Sequence, residues 1–354
     1  MNSSPSRRRS LVSIVATVLL LSGAAWTVRT RQSLSDRPVP VVRERLIMGT
    51  TCRLIAVGPR SQAESALDAA WREIESVNAT MSTYDPASEL SRFNAAPADV
   101  DVPLSSDTLT VLRLAQDAAY ETEGAFDITV RPLIRLWQEA AQRGRVPSGD
   151  ELQAVRNQTG MEHCVLKENS ARKRIAGLEV TLDGIAPGFA VQQAILKLQS
   201  AGMSGGLIDL GGDIACFGRP ADGDAWQIAV QDPWGDGHRG VLSFSPEQSE
   251  IIAVNTSGDY RRFLEIEGRR YSHILDPRTG VPVENATSVT VIARDAVTAD
   301  IRATALSVLG PTAGIPWIEN DPALAALFLS GTPEAPVTTA TSRFPKLQAD
   351  HSGR

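Results

Sequence analysis

Cysteine is scarce in this chain. Three occur among 354 residues, Cys52, Cys164 and Cys216, far apart and with no Cys-x-x-Cys pair. That spacing suggests neither a zinc site nor a disulfide framework, and a single bridge would leave one thiol over. An excess of basic charge is missing as well. Net charge is -6 and the pI is near 5.4. Lys and Arg are scattered apart from Arg7, Arg8 and Arg9. No basic face compensates, so nucleic acid is not a main partner. No apolar run reaches the roughly twenty residues of a membrane-spanning helix. There is no internal repeat and no low-complexity run. Histidine is limited to four.

What is present is the balance of a globular protein, 42% hydrophobic and 21% charged, over a length that buries a sizeable core. The apolar run from Leu11 to about Ala25 follows three Arg and ends in small residues. It has the length of a signal-peptide core. Arg8-Arg9-Ser10-Leu11-Val12 resembles a twin-arginine signal, which implies export in folded form to the periplasm. An ordinary secretory signal and an uncleaved anchor are the alternatives. No Cys follows the run, which excludes lipidation at the usual position. Residues 1–35 are therefore set apart as signal peptide and linker. A domain is expected over 36–335, with possible lobes at 36–177 and 178–335. Residues 336–354 read as a mobile tail.

Periodicity assigns the remainder. Residues 43–57 read as paired strand broken at Gly49. Ser61-x-x-Glu64 has the form of a capping box opening a helix with Ala66, Ala70, Ile74, Val77 and Met81 on one face. Further helices are expected from Ser106 or Asp107 to Ala119, from Pro132 to before Gly144, and from Ser148-x-x-Glu151 to before Gly160. From Leu178 short β-type runs alternate with Gly-rich turns, beginning with Glu179–Leu182 and including a Glu267-Gly268 hairpin turn. Helices over Gly188–Ala201 and about Thr298–Leu309 interrupt them, the second stopped by Gly310. The fold class is α+β, with a helical N-terminal half packed on a strand-rich C-terminal half.

Several segments carry possible chemistry. Asp300 and Thr304 are four apart in a helical pattern and so share a face. A carboxylate and a hydroxyl one turn apart offer hard oxygen ligands, which suit Mg²⁺ rather than zinc. His273 ends a strand and is followed by Asp276-Pro277-Arg278-Thr279-Gly280; it is either a proton-handling group or part of a solvated turn. The turn Gly184-Ile185-Ala186-Pro187-Gly188 into a helix can hold phosphate on free N–H groups, or simply be a turn. Gly211-Gly212 before Asp213 marks a bulge, with or without a ligand. Phe126, between Ala125 and Asp127, fits a core position better than a ligand contact. Tyr84 can stack on a planar ring, or merely end a helix.

Taken in order, these segments resemble the ApbE family of FAD:protein FMN transferases. The matches are Met48-Gly49-Thr50, Met81 through Pro86 with Ser88 through Asn94, Gly124 through Asp127, Gly184 through Gly188, Leu210 through Ile214, Ser257 through Tyr260, His273 through Gly280, and Ala299 through Leu306. They span about residues 45–330. The leader and general texture are similar to the NosX branch, which serves nitrous-oxide respiration. The resemblance implies that FAD binds with Mg²⁺ on its diphosphate. A Thr or Ser hydroxyl of an acceptor protein then takes FMN, and AMP leaves. It implies metal ligation by Asp300, Thr304 and the Gly184 backbone. It implies flavin- and adenine-side contacts from Met48, Tyr84, Ala125, Phe126 and Asp127, and at the positions of Thr181, Pro187 and His273. It implies catalysis involving His273 and Asp276. Departures accompany it. Thr181 stands where the family usually has Asp, with Asp183 displaced by two. Pro187 stands where Lys or Glu is usual, and Arg302 falls between the metal ligands. Those changes keep two other readings open, a non-catalytic flavin carrier or assembly factor and an FAD diphosphatase.

Overall fold

The computed structural model describes residues 39–258, 263–283 and 288–349. The leader therefore lies outside the described residues, as do Asp259 through Arg262. The chain opens with β1 (Val39–Ile47) and β2 (Thr50–Gly58), then α1 (Arg60–Met81) and α2 (Glu89–Ala95). There follow β3 (Val102–Pro103), α3 (Ser106–Glu121), α4 (Arg131–Arg143), α5 (Gly149–Arg156), β4 (Cys164–Leu166) and β5 (Ser170–Lys173). After α6 (Ala186–Ser200) come β6 (Gly205–Leu210), β7 (Asp213–Gly218), β8 (Trp226–Gln231), β9 (His238–Phe244) and β10 (Ile252–Gly258). Two small hairpins, β11 (Phe263–Ile266) with β12 (Arg269–Ser272) and β13 (Leu275–Asp276) with β14 (Val281–Pro282), precede β15 (Ser288–Ala293). The chain closes with α7 (Ala296–Glu319), β16 (Ala325–Gly331) and β17 (Pro336–Ala340).

One antiparallel sheet organises the molecule, in the order β1-β2-β6-β7-β10-β15-β16-β17. Alternation along its strands gives it two apolar faces. Leu54, Ala56, Ile208, Ala215, Phe217, Val289 and Val291 face α1, α6 and α7 in the main core. Leu207, Cys216, Val254 and Leu327 face the β8–β9 hairpin with Trp226, Ile228 and Leu242. This is the expected α+β class, but the division at 177/178 is crossed by the sheet, because β2 pairs with β6. Among the described residues no helix is long and apolar enough to cross a membrane.

Several expectations need correction. Ser61-x-x-Glu64 does not cap α1: the extended residue Pro59 precedes Arg60, no side chain caps the helix, and Glu64 pairs with Arg60 instead. The capping box at Ser148 and Glu151 does form, with both hydrogen bonds present. Hydrogen bonding by Arg145 and by the Ser148 N–H lowers the Glu151 carboxyl to about 2. Its support for α5 is whole above the ordinary carboxylate range and is lost as pH falls towards 2. Glu179–Leu182 joins no ladder and forms no strand. Gly310 does interrupt the last helix, at φ 69°, yet helix resumes beyond it to Glu319. The tail expected to be mobile instead adds an edge strand, β17. Phe344 and Leu347 pack on the second core, and Gln348 exchanges backbone hydrogen bonds with Val241, both 2.9 Å. The Thr/Pro/Ala composition hid those two apolar anchors.

Candidate active site

α7 begins behind Asp295, whose side chain accepts from the Thr298 N–H at 2.8 Å. Its regular backbone then puts Asp300 and Thr304 on one face, towards the start of α6. Asp300 is 5% exposed, and its Oδ2 accepts from the Gly188 N–H at 2.9 Å. Gly184 sits in the turn before α6, and a Cβ placed on it would lie 3.0 Å from Thr304 Oγ1 and 3.4 Å from the Phe126 ring. Asp300 therefore meets the start of α6 at Gly188, and Thr304 meets the preceding turn at Gly184.

The helices meet so closely here that glycine is required. A Cβ on Gly188 would fall 2.5 Å from the Ala296 carbonyl oxygen and 2.7 Å from Asp300 Cβ. Backbone cannot yield as a flexible side chain can. Gly188→Ala is therefore expected to push α6 from α7, cost about 1–3 kcal/mol, and remove the hydrogen bond that holds Asp300. Denaturant unfolding of the variant measures this; an unchanged midpoint would show that the helices separate freely.

Two strands bring further charge under this pair. Asp213 starts β7 opposite Asn255 of β10. The Asn255 amide donates to Asp213 Oδ1. Asp209 Oδ1 accepts from Gly212 N–H at 3.0 Å. Burial first, then the charges of Asp300 and Asp209, raises the Asp213 carboxyl far above its ordinary range. Burial also raises Asp300, with Asp183 adding to it and the Gly188 N–H opposing it. Carboxylates gathered away from water favour a bound cation. Among the described residues no three His, Cys, Asp or Glu side chains form a metal cage. One carboxylate, one hydroxyl and a backbone carbonyl suit Mg²⁺, which usually keeps several waters and substrate phosphate oxygens. Sequence reasoning passed over Asn255. Its signal was an amide directly after the apolar Ile252–Val254 of β10.

The other expected residues divide clearly. His273 is half-buried at the bend between β12 and β13, where the Ile274 N–H donates to Ser272 Oγ at 3.1 Å. Both Asp276 carboxylate oxygens are taken by Arg278, through Nε and a terminal nitrogen, each at 2.9 Å. Asp276 thus shapes the turn. Trp137 pins the same turn to α4 by donating to the Gly280 carbonyl at 2.8 Å. Arg278 also lies beside Gly124, 3.5 Å from where its Cβ would be. The 124–127 turn therefore links the two motifs: Phe126 lies against Gly184 and Thr304, and Gly124 lies against Arg278. A cavity of about 210 Å³ opens beside it, lined in part by Asp127, Arg156, Glu162 and Arg278.

Ala125 and Phe126 are buried in the core, so only their backbone is available to a ligand. Asp127 accepts from Thr129 N–H at 2.8 Å and Oγ1 at 2.7 Å. Burial raises its carboxyl, and these bonds oppose the rise. Met48 is half-buried in the β1–β2 turn at φ 52°. That turn abuts the Gly211 backbone, where a Cβ would come 2.5 Å from Thr50 Oγ1. Tyr84 is 87% exposed, free to stack on a ring. Thr181 is buried, and its hydroxyl has no protein hydrogen-bond partner. Pro187 is half-buried in the first turn of α6. Arg302 points elsewhere, as its spacing implies, pairing with Glu121 and lying 4.7 Å from the Trp317 ring.

Residues 48–328 match the profile of the ApbE family. An FAD:protein FMN transferase of Vibrio cholerae is 42% identical over 247 residues, covering 69% of this chain and 73% of its own length. One of Haemophilus influenzae is 32% identical and covers 96% of this chain and 98% of its own. Among solved structures, the flavin transferase ApbE of Vibrio cholerae superposes with a TM-score of 0.75 at 35% identity, over 87% of this chain and 98% of that one. The apo flavinyl transferase ApbE of Pseudomonas stutzeri also gives 0.75, at 32% identity, over 86% of this chain and 95% of that one.

Proposed function

The chain belongs to the ApbE family, and from that premise we propose that it transfers FMN from FAD to a Thr or Ser hydroxyl of an acceptor protein. The carrying observation is the buried Asp300, one helical turn from Thr304 and hydrogen-bonded to the start of α6. In this reading the acceptor oxygen forms a bond to the FMN phosphorus, and the phosphorus–oxygen bond to AMP breaks. The hydroxyl proton passes to His273, and AMP leaves with the diphosphate oxygen. Asp300, Thr304 and the Gly184 carbonyl would hold Mg²⁺, which neutralises diphosphate charge when bound. The N–H groups at the start of α6 are already bonded, Gly188 to Asp300 and Ala186 and Phe189 to backbone carbonyls, so the helix start offers the diphosphate no free donor there. Asp276 and Trp137 keep the His273 turn in place.

The test uses FAD, Mg²⁺ and a candidate acceptor. A fluorescent acceptor band with AMP released supports transfer. Free FMN and AMP without labelling indicate a diphosphatase. Bound, unchanged FAD indicates a carrier, a reading favoured by Thr181 and Pro187, which replace polar contacts to FAD.

The acceptor we assign is a membrane-bound electron-transfer protein on the exported side, in the setting of nitrous-oxide reductase maturation or electron supply. The motivation is the twin-arginine leader. Arg8→Lys with Arg9→Lys is expected to trap the precursor in the cytoplasm, seen by fractionation. Normal periplasmic accumulation of the double variant would remove the twin-arginine route while leaving export itself.

A further inference from the structure

The stretch 178–182 lies against the core outside any sheet. Leu178, Val180 and Leu182 are at most 1% exposed and alternate as in a strand, yet no strand pairs with them. Buried backbone N–H and C=O groups need partners. At Val180 a single side chain supplies both. Asn94 Nδ2 donates to the Val180 carbonyl at 2.8 Å, and Asn94 Oδ1 accepts from the Val180 N–H at 2.8 Å. The carboxamide stands in for the peptide group of an absent strand, making the paired bonds of an antiparallel ladder.

Asn94 is itself held. It lies in the last turn of α2, and its carbonyl accepts from Lys173 Nζ at 2.7 Å. Lys173 is 2% exposed, so this contact is shielded from water. One residue beyond the clamp, the Thr181 N–H donates to the Ile128 carbonyl at 2.8 Å. The chain then turns through Gly184, against Thr304, and enters α6.

We propose that Asn94 is a positioning residue for the metal and diphosphate site, setting through Val180 where Thr181 and Gly184 stand relative to Thr304. The inference rests on the Mg²⁺ and FAD reading above. Its physical basis is leverage. The clamp is four residues from Gly184, and a misplacement of about 1 Å at such a site costs up to a hundredfold in rate. Among the described residues the amide alone meets both Val180 backbone atoms, so its loss frees the segment without emptying the core.

The test compares Asn94→Ala with Leu178→Ala in the whole protein. Leu178→Ala removes core packing and leaves the clamp. FAD affinity in Mg²⁺ is read by calorimetry, alongside thermal unfolding. Asn94→Ala is expected to weaken FAD binding roughly tenfold or more, whereas Leu178→Ala lowers the unfolding temperature and binds FAD nearly as wild type does. Asn94→Asp keeps an acceptor for the Val180 N–H and loses the donor, so its affinity is expected between the two. It also serves if Asn94→Ala does not fold. Wild-type affinity in Asn94→Ala or Asn94→Asp would overturn the proposal. Absence of Mg²⁺-dependent FAD binding by the wild-type protein would instead overturn the functional reading on which it rests.

Discussion

Asp300→Ala should abolish flavin transfer and leave the protein folded. The side chain gives the fold one hydrogen bond, to the Gly188 N–H at 2.9 Å. Against that bond stand its burial and the repulsion of Asp183 and Asp213. Removing a carboxylate from that company relieves charge, so the unfolding temperature without Mg²⁺ is expected to hold or rise. With Mg²⁺ the order should reverse. A ligand at about a hundred times its Kd stabilises the folded state by about 2.7 kcal/mol, and only wild type should gain it. Losing a metal that stabilises transition-state charge by several kcal/mol lowers the rate roughly a thousandfold or more. Wild-type transfer that proceeds equally in EDTA and in Mg²⁺ would exclude the metal role of Asp300 and Thr304.

His273→Ala should show the opposite signature, near-normal FAD affinity with a much slower reaction. The ring is half-buried on a bend fixed by Ser272, the Asp276–Arg278 pair and the Trp137–Gly280 hydrogen bond. None of those anchors depends on the imidazole, so the bend should survive its removal. Loss of a general base typically costs a hundredfold or more, within roughly 10²–10⁴. The wild-type rate should also decline on acidification, because an imidazole that already carries the proton cannot accept another. Wild-type turnover by the variant would end the catalytic assignment. An unfolded variant would make His273 structural.

Much of this arrangement was legible in the sequence because helices impose their spacing locally. The Asp300 and Thr304 face followed from the helical repeat, and the stop of α4 before Gly144 and the box at Ser148 followed from local terminus signals. What was not legible depends on distant partners. Glu179–Leu182 has a strand's alternation, but an amide from α2 occupies the place of a neighbouring strand. Asn255 gains its role only when β7 sets Asp213 opposite it. Phe126 reads better as core than as ligand contact, and burial at 3% exposure makes its side chain core. Tail residues Phe344 and Leu347 acquire meaning only when the β8–β9 hairpin receives them.

The segment from the end of β10 to the start of β15 joins two strands that are already adjacent and antiparallel. A short turn would suffice to connect them, so its hairpins are an insertion the sheet does not require. Lengthening such a connection costs little, about 0.6 kcal/mol per doubling. His273 rides on this insertion, whereas Asp300, Thr304 and Gly184 ride on the scaffold. The part that would meet the incoming protein and the part that would grip the nucleotide are therefore separately mutable.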